Sequence, residues 1–151
     1  MPNKELTVTR VIDAPRERVW EAWTDEKQVA QWWGLTVFTN PRCEWDARQD
    51  GKVRVDMRAP DGTIYPMDGV FTEMDPSERL VIVTHALNSK DGKPQMELVS
   101  TITFEAQGNK TKLTMHGVFT MIMPEMMAAA EGGQEGWSQS FDKLAELVEK
   151  K

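Results

Sequence analysis

The sequence is poor in the residues on which many enzymes and metal proteins depend. Its 151 residues include one cysteine, Cys43, and two histidines, His85 and His116. One cysteine excludes an internal disulfide, and two separated histidines offer no metal-ligand spacing. No glycine-rich phosphate loop, nucleophile motif or dinucleotide-binding fingerprint occurs. We therefore predict no metal, no other cofactor and no catalytic residue.

Positive charge and long apolar runs are also scarce. Lysine and arginine total 18 against 24 acidic residues, which gives a net charge of −6. This balance opposes binding to nucleic acid and to anionic lipid surfaces. No apolar stretch is long enough to cross a bilayer or to form the core of a signal peptide. We expect a cytoplasmic protein with no membrane insertion, folded as a single domain over residues 1–151.

Four residues with reactive or charged side chains are better explained by structure than by catalysis. Cys43 lies on the apolar side of an alternating segment, so we predict a buried residue and not a reactive thiol. We expect His116 on the more polar face of its strand and His85 as a hydrogen-bonded structural residue. Alternation places Arg10 on an inward face, where its guanidinium needs a partner. A carboxylate is favoured over a ligand head group.

Alternating apolar residues and turn dipeptides predict seven strands. A first strand covers residues 4–13, and turns such as Asp50-Gly51 and Gly108-Asn109 divide the middle of the chain. The six further strands are predicted at 42–49, 52–59, 63–73, 80–88, 95–105 and 110–119. Since no helical period separates them, we expect an antiparallel meander.

Helical segments flank this meander. Two short helices, 16–24 and 26–33, follow the first strand, with Asp13 as the expected N-cap of the first. A methionine-rich loop and a short helix lead into a long amphipathic helix at 136–148. We expect this last helix to lie on the sheet.

One long helix cannot cover seven strands without leaving apolar space, so the sequence predicts a cavity beneath that helix. A solidly packed core is the alternative interpretation. Ten methionines favour a deformable pocket, because methionine adapts to irregular spaces. The candidate ligand-binding residues are Trp45, Val55, Met57, Met67, Phe71, Phe104, Met115, Trp137 and Phe141.

Several motifs, in order, carry a resemblance to a known family. They are TVTRVIDAP at 7–15, VWEAWT at 19–24, WWG at 32–34, YPMDGVF at 65–71, EMDPSERL at 73–80 and GWSQSFDKL at 136–144. The chain resembles domains similar to the activator of the heat-shock protein 90 ATPase. These belong to the START-like, birch-pollen-allergen-like (SRPBCC) superfamily. The resemblance extends over essentially the whole chain.

The resemblance implies an α+β helix-grip fold. In this fold a curved seven-stranded antiparallel sheet, two short helices and a long C-terminal helix enclose a cavity. Free-standing members resemble small-molecule binders, whereas a related branch contains cyclases and lyases acting on polyketide-like compounds. Eukaryotic relatives join this domain to a separate chaperone-binding domain.

We therefore expect non-catalytic binding of a small hydrophobic or amphipathic molecule. A cyclase-like or hydrolytic enzyme using the same cavity is the first alternative. A stress-related protein-interaction or chaperone-regulator domain is the second. Homodimerisation stays open, and a chaperone partner is not favoured, so we do not expect the isolated chain to stimulate a chaperone ATPase.

Overall fold

The described part of the chain, residues 4–88 and 90–149 of a computed structural model, forms a seven-stranded sheet with helices against one face. The strands are β1 (Lys4–Ile12), β2 (Thr39–Trp45), β3 (Lys52–Arg58), β4 (Ile64–Asp75), β5 (Arg79–Leu87), β6 (Pro94–Gln107) and β7 (Lys110–Ile122). The helices are α1 (Arg16–Thr24), α2 (Glu26–Trp32), α3 (Met127–Glu131) and α4 (Gly133–Glu149), and a 3-10 turn at Pro124–Met126 precedes α3.

The sheet is an antiparallel meander. Its order is β1-β7-β6-β5-β4-β3-β2, so consecutive hairpins run from β2 to β7 and β1 then pairs with β7. Helices α1 and α2 carry the chain from one edge strand, β1, to the other, β2. Register shifts in β2, β4, β5 and β6 interrupt the ladders, and such irregularities bend strands. The predicted α+β helix-grip fold is confirmed.

The predicted bounds of β2 were wrong at both ends. The strand occupies Thr39–Trp45 instead of 42–49, and it tolerates Pro41 because an edge strand has a row of unpaired backbone groups. After Trp45 the chain turns back: Arg48 N lies 2.9 Å from Asp46 O, and Asp50 adopts a φ of 65°. A turn that ends at Asp50 therefore takes the place of residues 46–49, which were predicted to end the strand.

The helix termini also differ from the prediction. The N-cap of α1 is Pro15, without a side-chain hydrogen bond, and not Asp13. The side chain of Asp25 caps α2 instead, by accepting a hydrogen bond from Lys27 N at 3.1 Å. Helix α4 begins at Gly133, three residues before the predicted start, because Gly132 and Gly133 continue the helical path.

A tryptophan cluster joins the helices to the sheet. We use this name for Trp23, Trp32, Trp33, Trp45 and Trp137. The ring of Trp23 is fully buried and lies 4.6 Å from Trp32 and 6.3 Å from Trp137 between centroids. Trp33 continues the chain of contacts to Trp45 at 5.2 Å and to Trp137 at 5.3 Å. The cluster fills one end of the space between the sheet and α4.

Arg10 and His116 each contact a carboxylate of another helix or strand. Arg10 forms an ion pair with Asp142 of α4, so its partner is a carboxylate, as favoured. The exposed His116 lies 2.8 Å from Glu5 on the outer face, as expected.

Cys43 is half-buried against the core. Burial, with the nearby carboxylates of Glu26 and Glu44, raises the pKa of its thiol to about 11. The thiol is therefore protonated at neutral pH, as a structural residue would be.

Phe141 tests how tightly α4 is seated on the core. It is fully buried, and its ring meets Trp23 and Trp137 edge-on at centroid distances of 6.3 and 5.8 Å. We expect Phe141→Ala to lower the free energy of unfolding by roughly 3–5 kcal/mol, because it leaves a void in a packed core. Urea denaturation measures the loss. Val11→Ala on the outer face, where Val11 is 50% exposed, should cost about 0.5 kcal/mol. A comparable loss for both variants would contradict the packing.

Candidate functional site

A cavity of about 740 Å³ lies between the inner face of the sheet and helices α3 and α4. Ligand sites of small molecules typically enclose about 300–1,000 Å³, and this volume falls within that range. Trp33 and Trp137 lie between the packed tryptophan cluster and the cavity, because they belong to the cluster and also line the cavity. The remaining walls come from the loop after α2 and from β3, β4, β5 and β6.

Methionines and aromatic rings dominate the apolar wall. Four of the ten methionines line it, namely Met57, Met67, Met96 and Met126. At the mouth, the rings of Phe38 and Tyr65 stack at 5.8 Å with an interplanar angle of 21°. Ile64 and Tyr65 are 37% and 48% exposed, so the apolar lining continues to the surface.

Small residues on α3 and α4 leave the space open. Those that line the cavity are Ala129, Gly132, Gly133, Gly136 and Ser140. Apart from the adjacent pair Gly132 and Gly133, they follow one another at intervals of three or four residues, which places them along one face of the helical segment. A Cβ atom at Gly136 would meet only Leu35 Cδ2, at 3.8 Å. Gly133 differs, because a Cβ there would lie 3.2 Å from Leu6 Cδ2 and 3.4 Å from Phe119 Cζ. Gly133 thus allows close packing on the sheet, whereas Gly136 borders open space.

Polar side chains of α4 hold the loop that closes one side of the cavity. Ser140 Oγ both accepts from Gly34 N and donates to Gly34 O, each at 3.0 Å. Lys143 Nζ donates to the carbonyl oxygens of Trp33 and Leu35 at 3.3 and 3.0 Å. Burial lowers the pKa of Lys143. Gly34 has a φ of +88°, a conformation that suits glycine. The loop backbone is therefore fixed to the helix.

The predicted binding residues divide into two groups. Met57, Met67 and Trp137 line the cavity. Six others lie buried in the core: Trp45, Val55, Phe71, Phe104, Met115 and Phe141. All six point inward, the five strand residues as alternation predicted and Phe141 as the helical stripe predicted, but they lie where the helices pack against the sheet. The small residues of α3 and α4 were not predicted to line the cavity, although glycines spaced three and four residues apart were the available signal.

Carboxylates are absent from the described residues that line the cavity. His85 of β5 is among the residues that line the cavity, but its ring lies between Asp68 and Glu97. Its Nδ1 and Nε2 lie 3.2 and 2.7 Å from these carboxylates, in keeping with a hydrogen-bonded structural histidine. Hydrogen bonds from Thr120 and His85 lower the pKa of Glu97. In residues 4–88 and 90–149 no cluster of His, Cys, Asp or Glu suits a metal ion.

The comparison with protein families agrees with this geometry. The model of the family described as "Activator of Hsp90 ATPase homolog 1-like protein" matches residues 13–149. The chain belongs to this family. Members of the Hsp90-activator-like family share the SRPBCC helix-grip fold, which commonly binds hydrophobic ligands. No curated protein matches the chain.

Solved structures of bacterial proteins share the Hsp90-activator-like fold. A protein from Chromobacterium violaceum is 27% identical, with a TM-score of 0.84 over 99% of this chain and 100% of its own. A protein from Arthrobacter aurescens is 23% identical, with a TM-score of 0.83 over 96% and 86%. The AHSA1-like protein from Aeromonas hydrophila is 22% identical, with a TM-score of 0.73 over 97% and 92%. Across the described residues of this chain, no helix has the length and apolarity needed to cross a membrane.

The hydrogen bonds between Ser140 and Gly34 should stabilise the loop after α2. Ser140→Ala leaves the partly buried N–H and carbonyl of Gly34 without their partner, and an unsatisfied buried group typically costs about 1–3 kcal/mol. We expect that loss in urea denaturation and faster hydrogen exchange at the Gly34 amide. Ser138→Ala is the matched control, since the Ser138 side chain forms no hydrogen bond within the described residues. Unchanged exchange at Gly34 in Ser140→Ala would contradict this role.

Proposed function

We propose that this domain binds a small hydrophobic or amphipathic molecule in the cavity without altering it chemically. The cavity of about 740 Å³ beneath α4 is the observation that carries the proposal. Its walls combine adaptable methionine side chains with aromatic rings, a composition typical of small-molecule sites. Met57, Met67 and Trp137 are the predicted binding residues that we assign to contact with the ligand. Trp137 would form its inner end beside the tryptophan cluster.

The polar groups of the cavity support binding over hydrolysis. Ser140 Oγ is occupied by the backbone of Gly34, so it is not available as a nucleophile. Thr84 Oγ1 lies 3.5 Å from Leu98 O, and the described lining contains no aspartate or glutamate beside it. Both ring nitrogens of His85 face carboxylates. General acid–base catalysis needs a titratable group within hydrogen-bond reach of the substrate. The described lining contains no carboxylate, and Lys90 at the mouth is its one lysine or arginine.

Gly136 provides a direct test. Gly136→Leu places a branched side chain where a Cβ atom meets only Leu35, so it should occupy the cavity. The substitution also favours the helix, by up to about 1 kcal/mol over glycine. We expect the affinity for the neutral fluorescent probe N-phenyl-1-naphthylamine to fall at least about tenfold, since the lost contact area amounts to several buried methylene groups. Fluorescence titration measures the affinity.

Gly136→Ala is the matched control. It improves helix propensity similarly but adds one methyl group, so its probe affinity should stay within about twofold of the unmodified protein. Thermal unfolding should show that both variants remain folded. Failure of the unmodified protein to bind the probe, or equal affinity in Gly136→Leu, would refute the proposal.

A further inference from the structure

Three polar side chains at the cavity mouth come from the end of the β5–β6 hairpin. Asn88, Lys90 and Gln95 line the mouth on this side. Ile64 and Tyr65 of β4 and Met126 also line the cavity, together with Thr63 next to Ile64. Lys90 is the one lysine, arginine, aspartate or glutamate of the described lining, so the mouth carries charge at one corner, which would orient a ligand that has one charged end.

This corner offers free N–H donors from Asn88 and Lys90, and Gln95 adds an amide that can donate or accept. Asn88 Oδ1 accepts from Lys90 N at 2.8 Å and from Asp91 N at 3.3 Å, which fixes the orientation of its amide. Asn88 Nδ2 then has no acceptor within the described residues. The carboxylate of Asp91 is itself engaged by Lys93 N at 2.9 Å. The side-chain amide of Gln95 also makes no hydrogen bond in residues 4–88 and 90–149.

Lys90 takes part in no ion pair among the described residues. The described cavity lining contains no aspartate or glutamate, although the chain has 24 acidic residues. A cation beside free N–H donors matches the oxygen atoms of an anionic group, because charge-assisted hydrogen bonds are the stronger kind.

We propose that the ligand is an anionic amphiphile whose head group, a carboxylate or a similar oxyanion, lies against Asn88 and Lys90. Its apolar part extends along Met67 toward Trp137. This inference rests on the proposed function, since it requires that the cavity binds a ligand. It adds the charge of the ligand and its direction in the cavity.

Displacement of N-phenyl-1-naphthylamine by sodium dodecanoate, or by neutral 1-dodecanol, tests the inference. Lys90→Gln removes the charge and should weaken dodecanoate about three- to tenfold. Asn88→Asp keeps the oxygen that the turn requires but replaces the free N–H donors with negative charge, so it should weaken dodecanoate similarly. Neither change should alter the affinity for dodecanol. Raising the salt concentration should weaken only dodecanoate.

Lys93→Gln is the matched control, because Lys93 is in the same hairpin but does not line the cavity. It should leave both affinities within about twofold. If both compounds bind and the Lys90 and Asn88 variants affect them equally, or affect neither, the anionic head group is refuted while the proposed function stands. Displacement of the probe by dodecanol but not by dodecanoate would likewise refute the anionic head group and leave the proposed function standing. If the unmodified protein binds neither the probe nor the two compounds, both proposals fall.

Discussion

The packing around Trp23 decides how much of the space between sheet and helix is filled. Its ring contacts Trp32 of α2, and it also contacts Trp137 and Phe141 of α4. Backbone carbonyls fix the neighbours, since Trp32 Nε1 donates to Ala22 O at 3.0 Å and Trp45 Nε1 to Trp23 O at 2.8 Å. Because these hydrogen bonds join α1, α2 and β2, the two helices cannot move along the sheet without breaking them. The cavity is the part of the space that this cluster does not reach.

Alternation and turn dipeptides were sufficient to predict the strands and the antiparallel meander, whereas the helix-grip fold was inferred from the resemblance to the family. The inward residues of β3, β4, β6 and β7 are buried as the pattern indicates, and the turn dipeptides separate the strands in the right order. Errors were confined to ends such as 46–49, where the chain folds back through Asp50 at positive φ. Local backbone hydrogen bonds decide such ends, and a two-residue period does not encode them.

Alternation was insufficient for the candidate site. It identifies the face of a strand but not the position along the strand at which packed core gives way to cavity. Phe71 and Met67 share the inner face of β4, yet Phe71 meets Trp45 at 5.4 Å whereas Met67 lies farther along the strand, at the cavity. That difference depends on where a helix inserted between β1 and β2 places its tryptophans. Such a contact between distant segments is invisible in the local pattern.

The small residues of α4 show that the cavity has an energetic cost. Glycine inside a helix is about 0.8–1 kcal/mol less favourable than alanine. At Gly133 the close approach of Leu6 and Phe119 explains this cost, because a side chain would push the helix off the sheet. No such contact surrounds Gly136, where a methyl group would fit without a clash. The helix thus forgoes stability at a position where sterics do not require it, and the space that results adjoins Trp137 and Ser140. The open volume beside Gly136 is therefore accompanied by a loss of helical stability that packing does not require.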